Sequence, residues 1–535
     1  MKVKNQHINK TLICLLAISA VVRIVLANWI ELGTDEAYYW TFAKYPDWSH
    51  FDHPGMVGWV IQLFTLNLLY DSEVFLRLAS VIFMTINTWI MYRIGKEIKD
   101  EQTGLYAAVF YTGSIYAFVI TGIFILPDTP LSLFCLLAFW LFIRYLHQKS
   151  SWNLLGTGLF IGLAILSKYT GAFLWVGFLL YLLCFDRKHF KNPVLYLSIL
   201  ITAACCVPIV YWNLQNDFIS FRFHGDRVSL FDKPNLVSLL KEVSGEFFYN
   251  NPMNFAIAIL AVIAAFRKRI QMDKQMKRLV LVTALPLICV FLLFSLNRET
   301  LPHWSAPGFV VLIPLMACWI TGFSKRRIRT ILGVSIAFLI LTLTVGVLEI
   351  KTGFVPLDRN TKPTQIGKTD VTLDMYGWRQ ACIKFNEIRS KAIAEGEMPE
   401  DAGMIGHNWF PTASIHYYIA RPLGMKVKGY GHFERIHKYQ WINEIEGGFT
   451  KGEDYWYIAD SHYYIDPDEA YAYTNFKEIC LADTIPIERN GKTVRNLFVY
   501  ECKSLVYGPL TLEQVLAKNK EKRESYKHTK PWKSY

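Results

Sequence analysis

The sequence lacks the glycine-rich motifs with which soluble enzymes bind nucleotides. It has no GxGxxG after a predicted strand and no P-loop. It also has no GxSxG and no HExxH, so the usual serine-hydrolase and zinc-protease patterns are excluded. Zinc-finger spacing, internal repeats and low-complexity segments are missing as well. With no soluble nucleotide-binding domain predicted, an activated substrate that arrives through a membrane is favoured.

Charged residues are few, at 19% of the 535 residues, whereas 53% are hydrophobic and 15% aromatic. About 20 apolar residues in a helix cross the roughly 30 Å hydrocarbon layer of a bilayer. The first apolar run is followed by no clean cleavage site, so we interpret it as a retained span. Eleven spans are predicted: 11–30, 75–94, 105–126, 130–146, 153–167, 170–185, 194–212, 252–266, 279–296, 305–322 and 330–349.

Lys and Arg are distributed unevenly between the loops on the two sides of these spans. With the N-terminus inside, the inner segments hold 21 of them and the short outer segments only three, Lys44, Lys168 and Arg298. This asymmetry predicts a multi-pass protein of the bacterial inner membrane with a cytoplasmic N-terminus and a periplasmic C-terminal part. The net charge of +12 then reflects anchoring at the inner face, and no nucleic-acid partner is expected.

Cysteine gives little information. Seven of the ten cysteines lie in apolar runs, where cysteine acts as a small hydrophobic residue. Three lie in the C-terminal part, which leaves room for one disulfide, and Cys480 with Cys502 is one such pair.

Composition changes after Lys351, where short mixed segments replace the apolar runs. We predict strands over 402–407, 455–460 and 496–501, and helices over 375–395 and 409–420. The predicted domains are a transmembrane catalytic domain, 1–351, a periplasmic α/β domain, 352–515, and a flexible tail, 516–535.

The loop after the first span combines acids, histidines and aromatic rings. Asp35 can act as a general base or as a helix N-cap, and the side chain of its neighbour Glu36 diverges from it by about 100° on a helix. His53 can bind a metal with His50 or Asp52, or simply hydrogen-bond the loop backbone. The aromatic residues around 38–48 form an interfacial belt or a sugar-stacking surface, and 56–64 predicts an interfacial helix.

More distant residues are predicted at the same membrane face. Asp128 lies between two prolines and is either a turn or N-cap residue or a site residue. Lys168, Arg298 and His303 suit phosphate binding, although each can also be an interfacial side chain that reaches water.

Five blocks of sequence resemble one known family. They read TDEAYYW, DWSHFDHPGM, TGIFILPDTPL, GLAILSKYTGAFL and LPHWSAPGF, and they lie within residues 30–310. They are similar to the bacterial branch of the dolichyl-phosphate-mannose-protein mannosyltransferase superfamily, which includes the lipid A aminoarabinose and galacturonic acid transferases. The resemblance implies a polytopic α-helical membrane protein of the GT-C glycosyltransferase fold with a small C-terminal α/β domain.

The resemblance also implies residue roles. Asp35, with Glu36 beside it, would be the general base or would position the acceptor, and Asp128 would assist the acceptor or a divalent metal. The residues implied for substrate binding are His53, Lys168, Tyr169, Arg298, His303 and Trp304. Many relatives have His-Pro-Pro where this chain has His53-Pro54-Gly55, which leaves the role of His53 open.

The predicted function is therefore inverting transfer of a sugar from a polyprenyl-phosphate donor to a lipid or cell-envelope glycan. A protein acceptor is the alternative within the same class. A lipid-linked-sugar transporter and a non-catalytic assembly subunit are the alternatives from other classes. Gathering of the ionisable residues at one membrane face, without a repeat, favours the enzyme.

Overall fold

The computed structural model describes residues 2–226, 235–467, 475–518 and 520. Most of the predicted tail, 516–535, lies outside these residues. The chain forms two compact units. We call Met1–Trp29 with Asp47–Leu343 the membrane unit, and Ile30–Pro46 with Thr344–Ser534 the C-terminal unit, in both cases as far as they are described. The three-domain division predicted from the sequence stays a prediction.

Helices make up most of the described residues up to residue 352. Two of them, α2 and the end of α17, belong to the C-terminal unit. A π-helix covers Tyr116–Ile120, and 3₁₀ turns cover Tyr169–Ala172 and Arg187–Lys191. The α-helices are α1 Lys2–Trp29, α2 Thr34–Lys44, α3 Met56–Phe64, α4 Glu73–Leu76, α5 Leu78–Ile98, α6 Glu101–Gly113, α7 Asp128–Gln148, α8 Ser151–Ser167, α9 Phe173–Phe185, α10 Pro193–Cys205, α11 Val207–Gln215, α12 Ile219–Asp226, α13 Leu236–Tyr249, α14 Pro252–Phe266, α15 Lys274–Ser295, α16 Ala306–Ile320 and α17 Lys325–Thr352.

All eleven predicted spans fall mainly on helix, and the predicted interfacial helix has the bounds of α3. By length and composition, five helices within the described residues can cross a membrane, or up to seven if each bent pair crosses once. One pair, α10 with α11, bends by 40°, and the other, α13 with α14, bends by 104°. The chain is thus a multi-pass membrane protein, and the number eleven stays a prediction.

Helices α8 and α10 approach each other closely through two glycines one turn apart. A Cβ on Gly158 would lie 2.1 Å from the Ser198 carbonyl oxygen, and one on Gly162 would lie 2.6 Å from Cys205 Cβ. The Thr202 hydroxyl donates a 2.6 Å hydrogen bond to the Gly158 carbonyl across the same contact. Small residues at such spacing let helix backbones meet, which matters where lipid offers no hydrophobic driving force.

We expect Gly158→Val to lower the stability of the membrane unit by about 3 kcal/mol, because overpacking a close contact forces the two backbones apart. Thermal unfolding of the detergent-solubilised protein measures this. Gly333→Ala on α17 is the control, because a Cβ there meets nothing within 4 Å. Equal melting temperatures for Gly158→Val and wild type would contradict the contact.

The C-terminal unit is built on a five-stranded mixed sheet in the order β2-β1-β3-β5-β4. Strand β1 is parallel to β2 and β3, and β5 is antiparallel to β3 and β4. The α-helices are α18 Trp378–Ala394, α19 Trp409–Ile415, α20 Phe433–Ile436 and α21 Tyr439–Ile445, with a π-helix at His416–Ala420 and 3₁₀ turns at Pro363–Gln365, Val371–Met375 and Ser461–Tyr463. The strands are β1 Gly403–Gly406, β2 Val427–Gly429, β3 Tyr455–Asp460, β4 Phe476–Arg489 and β5 Lys492–Leu505.

The predicted strands and helices of this unit are confirmed, but β2 and β4 were not predicted. Strand β2 has only three residues. Strand β4 is an edge strand that contains Pro486 and several exposed polar residues, which weakens its sequence signal. Cys480 and Cys502 are both free thiols. Cys480 faces Glu501 across the β4–β5 pair, so Cys480 and Cys502 point to opposite faces of the sheet.

The segment 30–46, which includes α2, is part of the C-terminal unit. The buried Glu31 carboxylate accepts hydrogen bonds from the backbone N–H groups of Trp378 at 2.9 Å and Arg379 at 3.3 Å. These are the first N–H groups of α18, which have no partner inside the helix and attract negative charge. At the other end, the Tyr45 hydroxyl donates to Glu446 Oε1 at 2.6 Å. The loop is thereby fixed at both ends.

Candidate functional site

A buried ion pair lies where α7 begins and α8 ends. Pro127 precedes α7, so Asp128 is its first residue. Lys168 follows α8 in extended conformation, with φ −159° and ψ 138°. Its Nζ lies 2.8 Å from Asp128 Oδ2, and Asp128 and Lys168 are only 3% and 7% exposed. Two residues predicted separately as site residues are therefore in direct contact, and Asp128 is more than a turn residue.

A tyrosine completes the environment of the Asp128 carboxylate. Tyr116, in the π-helix, is buried and donates a 3.1 Å hydrogen bond to Asp128 Oδ1. Each carboxylate oxygen thus has a partner, which is the condition under which a buried charge is tolerated. The ammonium of Lys168 has three N–H donors, and Asp128 uses one of them. The remaining donors are available to a bound anion.

His303 lies in the loop between α15 and α16, beside Tyr249 and Trp304. Burial, and then the positive charge of Lys168, lower the pKa of His303 to about 4, against the opposing effect of Asp128. The imidazole is therefore neutral near pH 7 and offers a hydrogen bond rather than a positive charge. The Trp304 ring packs against Phe291, with the ring centroids 5.8 Å apart.

Arg298 lies in the same loop, three residues after the end of α15. Its Nη1 is buried and has no hydrogen-bond partner within the described residues. A buried unsatisfied donor is costly, and an anion would satisfy it. Two glutamates of α13 hold this loop: Thr300 donates to Glu242 and Ser305 donates to Glu246, each at 2.7 Å.

The loop that carries His53 meets α12. The His53 backbone carbonyl accepts a hydrogen bond from His50 N at 3.0 Å. The centroid of the His224 ring lies 6.4 Å from that of the His53 ring and 5.0 Å from that of the Tyr169 ring. His224 Nε2 is 2.9 Å from the Asp52 carbonyl oxygen. Two predicted substrate-binding residues, His53 and Tyr169, are thus brought together around His224.

The described residues do not fit a divalent metal. Within the described ranges, no three His, Cys, Asp or Glu side chains lie close enough together to hold a metal ion. In the membrane unit, Asp128 faces a lysine and a tyrosine, and His224 faces a backbone carbonyl. Protein sites for divalent metals normally combine several carboxylate, imidazole or thiolate ligands.

Asp35 and Glu36 lie in the C-terminal unit, on α2. The N-cap of α2 is Gly33, so the alternative role of Asp35 as an N-cap is wrong. The Glu36 carboxylate instead accepts from the Gly33 N–H at 2.9 Å and is 2% exposed. Asp35, in the first turn, is exposed. The two acids therefore differ as predicted: Glu36 stabilises the helix start, and Asp35 faces outward.

The sequence did not single out Tyr116, His224, Glu242 or Glu246. Tyr116 lies in an apolar aromatic run that carries no sign of a polar contact. His224, Glu242 and Glu246 lie in a charged region, and the sequence does not show which of its charged residues belong to a site. His224, two residues before the end of α12, is distinguished only by the loop that folds onto it.

Residues 52–212 match the family described as dolichyl-phosphate-mannose-protein mannosyltransferase. The lipid A galacturonosyltransferase RgtD of Rhizobium johnstonii is 23% identical over 302 residues, which make up 56% of this chain and 63% of that protein. The chain thus matches less than two thirds of this relative's length. The resemblance predicted from the sequence blocks is confirmed.

Two solved structures of ArnT from Cupriavidus metallidurans are similar to this chain. The structure with bound undecaprenyl phosphate is 13% identical, with a TM-score of 0.63, and the match covers 93% of this chain and 99% of that one. The apo structure is also 13% identical, with a TM-score of 0.60 and coverage of 92% and 98%. This likeness confirms the predicted GT-C fold with its small C-terminal sheet.

We expect Lys168→Met to destabilise the membrane unit by about 3–5 kcal/mol, because it leaves the buried Asp128 carboxylate unpaired. The double variant Asp128→Asn/Lys168→Met is expected to be more stable than Lys168→Met, since it removes both charges. Thermal unfolding in detergent compares the two. A double variant less stable than the single one would show that the pair is not the main constraint.

Proposed function

We propose that this protein is an inverting glycosyltransferase that moves a sugar from a polyprenyl-phosphate donor to a lipid or cell-envelope glycan. The observation that carries the proposal is the buried Lys168, paired with Asp128 within the region that matches the family. The Asp128 carboxylate also accepts a hydrogen bond from Tyr116. The names of the relatives support it, since one is a lipid A galacturonosyltransferase and another holds undecaprenyl phosphate. An acceptor resembling lipid A is the finer part of the proposal.

In the proposed reaction, an acceptor hydroxyl attacks the anomeric carbon of the donor sugar. The bond from that carbon to the phosphate oxygen breaks, and its electron pair leaves with the polyprenyl phosphate. Asp35, as general base, takes the hydroxyl proton. Attack opposite the leaving group inverts the anomeric configuration. No step passes through a metal.

The basic side chains contribute unequally to binding of the donor phosphate. Lys168 is neutralised by Asp128, and His303 is neutral, so neither adds a full positive charge. Arg298 makes no ion pair with an acid among the described residues, and its buried Nη1 has no hydrogen-bond partner there. We therefore propose Arg298 as the main cation for the leaving phosphate. Lys168, His303 and Tyr169 add directed hydrogen bonds, and His53 and Trp304 border the site.

The second candidate is a lipid-linked-sugar transporter. The two bent helix pairs, α10–α11 and α13–α14, favour it, because transporters build substrate sites from interrupted helices. A transporter would move the lipid-linked sugar between leaflets without breaking the sugar–phosphate bond. A transfer assay with labelled donor therefore separates the two candidates, and a protein acceptor is tested in the same assay.

We expect Asp35→Asn and Arg298→Gln each to lower the transfer rate by about 10²-fold or more, the usual effect of losing a general base or a charge-stabilising donor. Membranes with labelled polyprenyl-phosphate sugar and an envelope extract provide the assay. Asp401→Asn and Arg327→Gln are matched controls at exposed positions. Full transfer by Asp35→Asn would remove Asp35 from the mechanism, and no transfer by wild type would favour the transporter.

We propose that the N-terminus is cytoplasmic and the C-terminal unit periplasmic, in the inner membrane of a bacterium. Two exposed positions test this in a chain whose own cysteines are replaced by serine. We expect Asp401→Cys to react with a membrane-impermeant maleimide in spheroplasts, and Lys325→Cys to react only after permeabilisation. The reverse pattern would overturn the orientation.

A further inference from the structure

The C-terminal unit contains a cavity of about 370 Å³. It is lined by residues that follow two parallel neighbouring strands: Asn408 and Phe410 after β1, and residues 461–465 after β3. In the sheet, β1 is flanked by β2 and β3, and β3 is flanked by β1 and β5. The chain that leaves β1 therefore continues to β2, on the side of β1 away from β3. Ligands of sheets with parallel strands bind in such crevices, outside the carboxyl ends of the strands where the connections diverge.

Polar groups without partners line this cavity. The side chains of Gln365, Lys368 and Asn408 make no hydrogen bond or ion pair with any described residue. His462 is 6% exposed, yet its buried Nδ1 has no hydrogen-bond partner in the described ranges. Buried polar atoms are normally satisfied, so the His462 Nδ1 is suited to hydrogen-bond a polar group of a ligand in this cavity.

The loop that carries Gln365 and Lys368 is fixed by the Asp358 carboxylate. One oxygen accepts from the Gly367 N–H at 2.8 Å, and the other accepts from the Thr369 hydroxyl at 2.8 Å. Asp358 therefore presents this side of the cavity in a defined conformation, and its own charge is engaged by the backbone.

Aromatic rings form another wall. The Phe410 and Tyr463 rings meet edge to face with centroids 4.9 Å apart, and the His462 ring lies 4.2 Å from that of Tyr463. Tyr464 also lines the cavity. The cavity thus combines aromatic faces, amide groups and a hydroxyl in a small volume. Such a lining suits a ligand ring that is apolar on its faces and polar at its edge.

The charge of the lining favours an anion. Lys368 is the one charged side chain among the described lining residues, and none of these is acidic. Burial, and then the nearby Arg495, lower the pKa of His462 to about 4, so it is a neutral donor and acceptor at pH 7. The acids whose charges act on His462 are Asp370, which is paired with Arg489, and Asp358.

We propose that this cavity binds one anionic sugar residue, a hexose that carries a carboxylate or a phosphate. Lys368 binds the anionic group, Gln365, Asn408 and His462 bind the hydroxyls, and Phe410 and Tyr463 contact the ring. The site rests on the proposed function in one respect: the bound sugar belongs to the acceptor glycan.

The cavity is connected to α2 within the C-terminal unit. The Tyr463 hydroxyl donates to Asp374 Oδ1 at 2.9 Å. The next residue, Met375, lies against Gly33, where an added Cβ would be 3.8 Å from Met375 Cγ. Thr34 lies close enough to Asp374 to affect the pKa of its carboxyl, and Asp35 follows it. A sugar residue held in the cavity would place the rest of an acceptor near the start of α2.

Titration of the purified full-length protein with galacturonic acid, galactose 1-phosphate and galactose tests the site, with binding followed by calorimetry. We expect wild type to bind at least one of the two anionic sugars about tenfold more tightly than galactose, the effect of one charge-assisted hydrogen bond. The preference between carboxylate and phosphate identifies the anionic group. Equal or absent binding of all three sugars would overturn the proposal.

Lys368→Gln, at an exposed position, is expected to abolish the preference for anionic sugars, and His462→Gln to weaken all binding about tenfold. Lys451→Gln is the matched control, because Lys451 is exposed and does not line the cavity. In the transfer assay, Lys368→Gln should raise the acceptor KM and leave kcat unchanged. Transfer by wild type without any sugar binding would overturn this site but not the proposed function.

Discussion

The structure depends on one electrostatic constraint, the ion pair of Lys168 and Asp128 in a nearly water-free environment. A lone charge there would cost several kcal/mol, so the two residues fix each other's position. Through them the start of α7 is tied to the end of α8, and Tyr116 ties the π-helix to the same carboxylate. Three segments far apart in sequence thereby meet at one polar centre inside a largely apolar unit.

This constraint also determines how the unit can treat a phosphate. Lys168 is already paired with a carboxylate, so it attracts an anion less strongly than a free cation would. It still offers N–H donors in fixed positions, which need no reorganisation when an anion binds. Arg298 supplies the complementary property, since its buried Nη1 has no hydrogen-bond partner in the described part of the chain. In the proposed reaction, such an arrangement would hold the leaving phosphate monoester by directed hydrogen bonds and one net charge.

Long apolar runs made the membrane helices predictable, and short runs of β-formers made β1, β3 and β5 predictable. The site was only partly predictable. Asp128 and Lys168 are identifiable because charge is rare beside apolar runs, but their contact arises from the packing of α7 on α8. The neutrality of His303 depends on burial, which no motif encodes. The cavity of the C-terminal unit was not predicted, because its lining residues come from separate loops with ordinary polar composition.

The C-terminal unit takes its first helix, α2, from residues 30–46, whereas the rest of it begins at residue 344. At about 5–20 residues per second, the ribosome needs tens of seconds to make the intervening chain. During that time the aromatic side chains of α2 lack their partners in the later chain, such as Trp409 and His416, and Glu31 has no helix start to cap. The C-terminal unit therefore cannot complete its native contacts until the chain beyond residue 344 has been synthesised.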